Sequence, residues 1–334
     1  MQLHPAGGAD AAGLGGERRQ RQESSTLHEF MIYPNRNSCG SVLIYEGRIR
    51  MNVKSPLLIL SAALTLSAGS SIDHARKLYN LTDFERSLKV LQAIPEKDAA
   101  VYEWMGRDYY MLADYKKSTE SLDKAAADDP SNAEIALWLG RAYGRRAETS
   151  SPFTAPGFAS KARQWFEKSV QLNARNTEAL SDLFEYYLEA PGFLGGGLDK
   201  AEGLVEKIAV VDAGEAHWAQ ARLAEKRKDF NSVEEHLRRA IDASPTRVGR
   251  FIDLAKFLAR QGRFQEADQS IAQAEKIAPD TPKLVYAKAD LYVKHKRNLQ
   301  VARKLLEQYM SMSLSPEDPP RSEAAKLLKQ VQGS

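Results

Sequence analysis

Four histidines follow residue 70, His74, His217, His236 and His295, and no two are close in the chain. The sequence holds no His-Glu-x-x-His pair, nucleophile elbow, Gly-x-Gly-x-x-Gly turn or calcium-loop spacing, so zinc hydrolysis, acyl transfer, dinucleotide binding and calcium binding all lack their residues. Gly195-Gly196-Gly197 with Lys200 is the nearest approach to a phosphate loop. No strand pattern precedes it, the lysine does not directly follow the last glycine, and no Ser or Thr follows the lysine. Asp128-Asp129 and Glu234-Glu235 lie on amphipathic helical patterns, where carboxylates are ordinarily solvated. No catalytic, cofactor-binding or metal-ligating residue is expected.

One chemistry does recur. The position after a repeated small residue holds, in order along the chain, Arg76, Arg107, Arg141, Glu185, Arg222, Lys256 and Asp290. Five of these seven are basic, although the chain carries 47 Lys+Arg against 44 Asp+Glu. Just before them lie Trp104, Trp138, Trp218 and Tyr286. Guanidinium pairs bidentately with carboxylate, and aromatic rings supply contact area with few rotors to freeze. The pattern therefore suits an extended acidic peptide. The competing use is internal: arginines paired with neighbouring Asp and Glu, and tryptophans packed between helices. Exposed pairs of that kind are worth only ~0–1 kcal/mol, a weak reason for one phase to be basic five times.

Composition narrows the classes further. A formal charge of +3 gives no case for nucleic-acid binding by bulk charge. A single cysteine, Cys39, excludes a disulfide scaffold and a multi-cysteine metal site. At 43% hydrophobic residues the chain is neither wholly disordered nor a polytopic membrane protein.

The elements that must position these residues repeat. Phe84, Tyr115, Phe230 and Phe264 each follow a short polar link. Three residues on come Ser87, Ser118, Val233 and Ala267, then Leu91, Leu122, Leu237 and Ile271, then Ile94, Ala125, Ala240 and Ala274. That spacing is one helix face, and Pro130, Pro245 and Pro279 stop three of those helices. The preceding halves read Tyr102-Met105-Gly106-Tyr109, Ala136-Leu139-Gly140-Tyr143 and Phe251-Leu254-Ala255-Leu258 at helical spacing. Glycine inside a helix costs ~1 kcal/mol relative to alanine, so its recurrence at one phase predicts a tight crossing of two antiparallel helices.

Tyr102, Met105-Gly106, Tyr109, Tyr115, Ser118, Leu122, Ala125 and Pro130 resemble the signature of the tetratricopeptide repeat, a helix–turn–helix unit of about 34 residues, here of bacterial exported type. The resemblance implies an all-α, right-handed α-solenoid over 71–331. About seven units are expected, near 68–98, 99–132, 133–176, 177–213, 214–247, 248–281 and 282–315, with a closing helix at 320–331. The first unit is worn at Ser71 and His74, and the seventh carries one extra residue before Ala302. The resemblance also implies that the first helix of each unit lines a concave groove where peptides bind. Arg107, Arg141, Arg222 and Lys256 carry over to that face, beside Arg76, Trp104, Trp138, Trp218 and Tyr286. The family's asparagine-and-lysine carboxylate clamp is missing, since its phase holds arginine with no asparagine beside it.

Two insertions break the period. Tyr143 to Ala162 is 19 residues where nine are expected, and Tyr187 to Ala201 is 14. Both contain Ala-Pro-Gly-Phe, at 155–158 and 190–193, so two loops bearing Phe153, Pro156, Phe158, Pro191 and Phe193 are expected side by side at one edge. The phenylalanines either staple those loops to neighbouring helices or contact a ligand.

Residues 1–50 hold seven glycines, a basic patch at Arg18-Arg19-Gln20-Arg21 and no sustained apolar period, so disorder is expected there. Met51-Asn52-Val53-Lys54-Ser55, the apolar 56–66 and the small residues 67–71 read as a signal peptide over 51–70. Translation is then expected to begin at Met51, with 1–50 upstream of it, and the mature N-terminus to fall within 68–71. No cysteine follows the apolar stretch, which excludes lipoprotein processing, and the mature chain would have no thiol. A periplasmic or secreted protein follows; an uncleaved anchor at 56–66 is the alternative. The function expected is a non-enzymatic scaffold or adaptor for a protein or peptide partner, without cofactors. Its rivals are a self-associating envelope subunit and, more weakly, a small-ligand binder or enzyme at the loop edge.

Overall fold

The computed structural model describes residues 69–332; the leader readings for 1–68 lie outside the described residues. The described residues form fifteen α-helices and no strand. They run in sequential pairs: α1 (69–80) with α2 (Phe84–Gln92), α3 (Ala99–Met111) with α4 (Tyr115–Asp128), α5 (Ala133–Thr149) with α6 (Ala155–Leu172), and α7 (Thr177–Glu189) with α8 (Leu198–Val211). Then come α9 (Ala213–Lys226) with α10 (Phe230–Ala243), α11 (Val248–Arg260) with α12 (Phe264–Ile277), α13 (Pro282–Lys294) with α14 (Leu299–Ser311), and a single last helix, α15 (Arg321–Gln332). From α2 onward each helix packs on the next in chain order, within and between pairs, which makes an α-solenoid.

One turn design joins three of the pairs. Thr82, Ala113 and Lys228 take left-handed backbone, with φ of 60°, 60° and 59°. The next residue, Asp83, Asp114 or Asp229, donates its N–H back to the carbonyl of Leu78, Tyr109 or Ala224 at 2.9–3.0 Å, closing the first helix. The same aspartate caps the second helix, its carboxylate accepting from the backbone of Arg86, Lys117 or Ser232. A single residue thus ends one helix and starts the next. The seventh pair absorbs its extra residue with a second left-handed position, Asn298 following Lys296, at φ of 47° and 51°.

The small residues lie at the closest approach within a pair. A Cβ placed on Gly106 would collide with Leu122 of α4, and one on Gly140 with the ring of Phe166 on α6. Leu122 and Phe166 are both buried. Ser118 and Ser270 each hydrogen-bond across their pair to a backbone carbonyl, of Gly106 and Phe251 respectively, at 2.8 Å. The core is a strip of overlapping clusters rather than one centre, and Trp218 packs against two of them.

The insertions are smaller as loops than the sequence suggests. The first is taken up chiefly by lengthening α5 and α6 to 17 and 18 residues, which leaves 150–154 as the link. Ala155-Pro156-Gly157-Phe158 is the first turn of α6, where a proline without an N–H is tolerated. The second copy instead runs from the end of α7 into a 3-10 turn, Gly192–Leu194. There Ala190 precedes Pro191 in extended backbone, the conformation a following proline imposes.

Gly140→Ala should gain helix propensity yet lose stability by about 1–2 kcal/mol, because Phe166 has no space to yield. Urea unfolding checks this, and Phe166→Leu in the same chain should recover part of the loss.

Candidate partner-binding groove

A groove of about 720 Å³ runs along the inner helices α5, α7, α9, α11 and α13, and Glu323 and Leu327 of α15 reach its far end. Of the residues read from the sequence, Arg141, Trp218, Arg222, Lys256 and Tyr286 line it. Arg76, Trp104, Arg107 and Trp138 do not. They form an alternating stack outside it: Arg76 lies 5.3 Å from the Trp104 ring, Arg107 lies 4.7 Å from Trp104 and 4.8 Å from Trp138, and Arg141 lies 5.1 Å from Trp138. Trp138 is buried within this stack.

The arginines are engaged by the chain's own carboxylates. Arg107 contacts Glu103 and Glu134. Arg141 meets Asp182 at 2.6 Å and Glu178 at 2.8 Å. Arg222 meets Glu185 at 3.0 Å, Glu189 at 3.2 Å and Glu225 at 2.6 Å. Burial works against the charge on Arg141 and Arg222, but these carboxylates more than offset it and hold both above the ordinary guanidinium range. Stripping one partner from a buried pair costs about 3–5 kcal/mol. The basic phase therefore builds the groove wall before it meets any ligand. Around the groove six basic and six acidic side chains balance.

The edge residues divide likewise. Phe158 stacks on Tyr143 at 6.2 Å, and Arg146 lies 4.1 Å from its ring. Phe153 and Phe193 are 95% and 81% exposed among the described residues, so they staple neither loop to the helices described. Pro156 sits in the first turn of α6, and Pro191 precedes the 3-10 turn. Among the described residues no group of three or more His, Cys, Asp or Glu could hold a metal ion.

No family model matches the sequence, and no curated protein matches it. Solved structures do. A tetratricopeptide repeat protein from Parabacteroides merdae superposes with a TM-score of 0.51 at 17% identity, covering 80% of this chain and 99% of that one. The chain has the tetratricopeptide-repeat fold. A thermophilic TPR protein of Thermus thermophilus matches at 0.48 and 17% identity, over 57% of this chain and 98% of its own. PilW, a type IV pilus biogenesis factor, matches at 0.43 and 17%, over 70% and 98%.

Within that tetratricopeptide framework two buried polar groups escaped the sequence reading. Glu215 of α9 and Arg250 of α11 form an ion pair with both side chains fully buried, and Ser181 of α7 donates its hydroxyl to Glu215 at 2.8 Å. Three successive helix pairs are tied at one point. The signal was present, because 35 residues, about one repeat, separate the two charges. The second is Asp108 of α3, fully buried. One carboxylate oxygen accepts from Ser87 at 2.8 Å, while the other has no hydrogen-bond partner among the described residues. Burial pushes Asp108 up to about 7, only partly opposed by the Ser87 hydroxyl.

Arg250→Met should destabilise the chain by about 3–5 kcal/mol, since it removes the buried guanidinium that faces Glu215, and adding Glu215→Leu should restore much of that. Denaturant unfolding of the single and double variants checks it. Asp108 binds its proton more tightly folded than unfolded, so its contribution is present below about pH 4 and is lost as pH rises to about 7. Asp108→Asn should therefore flatten the fall in stability between those pH values and leave the chain on the order of 2–4 kcal/mol more stable at pH 8.

Proposed function

We propose that this chain is a non-enzymatic interaction scaffold whose partner, an extended protein segment, lies along the groove of α5, α7, α9, α11 and α13. The observation that carries the reading is the groove itself, about 720 Å³ of continuous surface mixing charged side chains with Trp218, Ile252, Tyr286 and Leu291. Such a surface offers apolar anchors and charged positions for register, and positions no evident catalytic group.

The engaged arginines refine the partner's chemistry. An acidic segment crossing α5 to α9 must compete with Asp182, Glu178, Glu185 and Glu189 for Arg141 and Arg222. Toward α11 and α13 the groove is lined by Lys256, Lys283 and Tyr286, so the partner's carboxylates would meet lysine as well as arginine along its length. Arg76, Trp104, Arg107 and Trp138 act in this reading as a stiff stack that holds the first pairs in line. Export to the periplasm or medium is part of the proposal and is supported by the leader pattern over 51–70. Among the described residues no helix is long and apolar enough to cross a membrane.

A photo-crosslinking amino acid replacing Tyr286 should capture a discrete partner from the envelope fraction, whereas one replacing Val210, which is exposed on α8, should not. Lys256→Glu with Lys283→Glu should cut capture at least tenfold at unchanged helicity. Equal capture from both sites, or capture indifferent to the lysines, would remove the groove from the reading.

A further inference from the structure

The groove leaves Phe153 and Phe193 without work. Each ring sits on a short link between the two helices of its own pair, and the two pairs are consecutive. The rings are 95% and 81% exposed, and neither makes an aromatic or cation–π contact among the described residues. The links share one edge, because the 3-10 turn at 192–194 lies against α6. Arg163 of that helix runs so close beneath Gly195 that a Cβ there would meet its Nε at 2.8 Å. Arg163 is eight residues from Ala155, about 12 Å along the helix axis.

Charge repeats with the rings. Lys161 lies 5.0 Å from the ring of Tyr143, and Lys200 lies 5.4 Å from the ring of Tyr187, at the same place in each pair. Lys200 also donates to the Gly195 carbonyl at 2.8 Å. Neither lysine is in an ion pair among the described residues, whereas the nearby carboxylates Glu148, Glu167 and Glu189 all are. Asp199 sits in the first turn of α8, where the helix dipole favours it, and Asp123 accepts the Tyr143 hydroxyl at 2.7 Å.

Area decides between occupants. Two phenylalanine side chains offer roughly 300–400 Å², about half the ~800 Å² per partner of a stable protein interface. A second copy or a folded partner would not be held by this edge alone. A bilayer interface asks for no complementary surface: rings enter between headgroups, and each nearby lysine is attracted to an anionic leaflet. We propose that the edge bearing Phe153 and Phe193, flanked by Lys161 and Lys200, is a reversible docking site for an anionic lipid surface. The proposal does not depend on the groove reading.

The test uses the full chain carrying Cys39→Ser, with a nitroxide placed singly at Phe153→Cys, Phe193→Cys or Val210→Cys. Vesicles of phosphatidylcholine alone are compared with vesicles containing phosphatidylglycerol. On the anionic vesicles the labels at 153 and 193 should lose access to a water-soluble relaxing agent and gain access to oxygen, while the label at 210 stays in water. Lys161→Glu with Lys200→Glu should lower the inserted fraction at least fivefold. No change at either loop label, an equal response at all three sites, or an inserted fraction indifferent to the lysines would overturn the proposal. Spin–spin broadening between loop labels without lipid would assign the edge to self-association instead, and would overturn it equally.

Discussion

A two-helix unit of this kind cannot cover itself. One stripe of each helix packs against its partner, and a second apolar stripe stays bare until the next pair arrives, so the structure exists only as a stack. That constraint accounts for the core being a strip of overlapping clusters, with Trp218 shared between two of them. It also accounts for the close approach at Gly106 and Gly140. A bulkier residue there would collide with Leu122 or Phe166, both of which are buried.

Stacking also decides what the groove contains. Inner helices of successive pairs lie side by side, so charges about one repeat apart face each other. Arg141 with Glu178, Arg222 with Glu185, and Arg250 with Glu215 are 37, 37 and 35 residues apart. These pairs fix how neighbouring units sit and leave the wall electrically balanced. In the proposed reading a partner would therefore be selected less by an excess of positive charge than by apolar anchors such as Trp218 and Tyr286.

Much of this could be read in advance, for a definite reason. Helical periodicity, the proline stops and the small residues at one phase are local, and each follows from 3.6 residues per turn and the size of a side chain. The basic phase was visible too, but its use was not. An arginine facing solvent and one facing a carboxylate a repeat away are the same letter in the chain. The two Ala-Pro-Gly-Phe copies make the same point: identical residues form a helix start at 155–158 and a helix end with a 3-10 turn at 190–193.

The sequence by itself determined the helices, their pairing in order and the phase of their small residues, because those depend on neighbours within a few turns of the chain. Tertiary structure alone decided that Arg141 and Arg222 are spent on internal carboxylates and that, among the described residues, Asp108 is buried with one oxygen unpaired and Phe153 and Phe193 stand uncovered while Phe158 does not. Burial and ion pairing are properties of what arrives from the next unit, and no single unit specifies that.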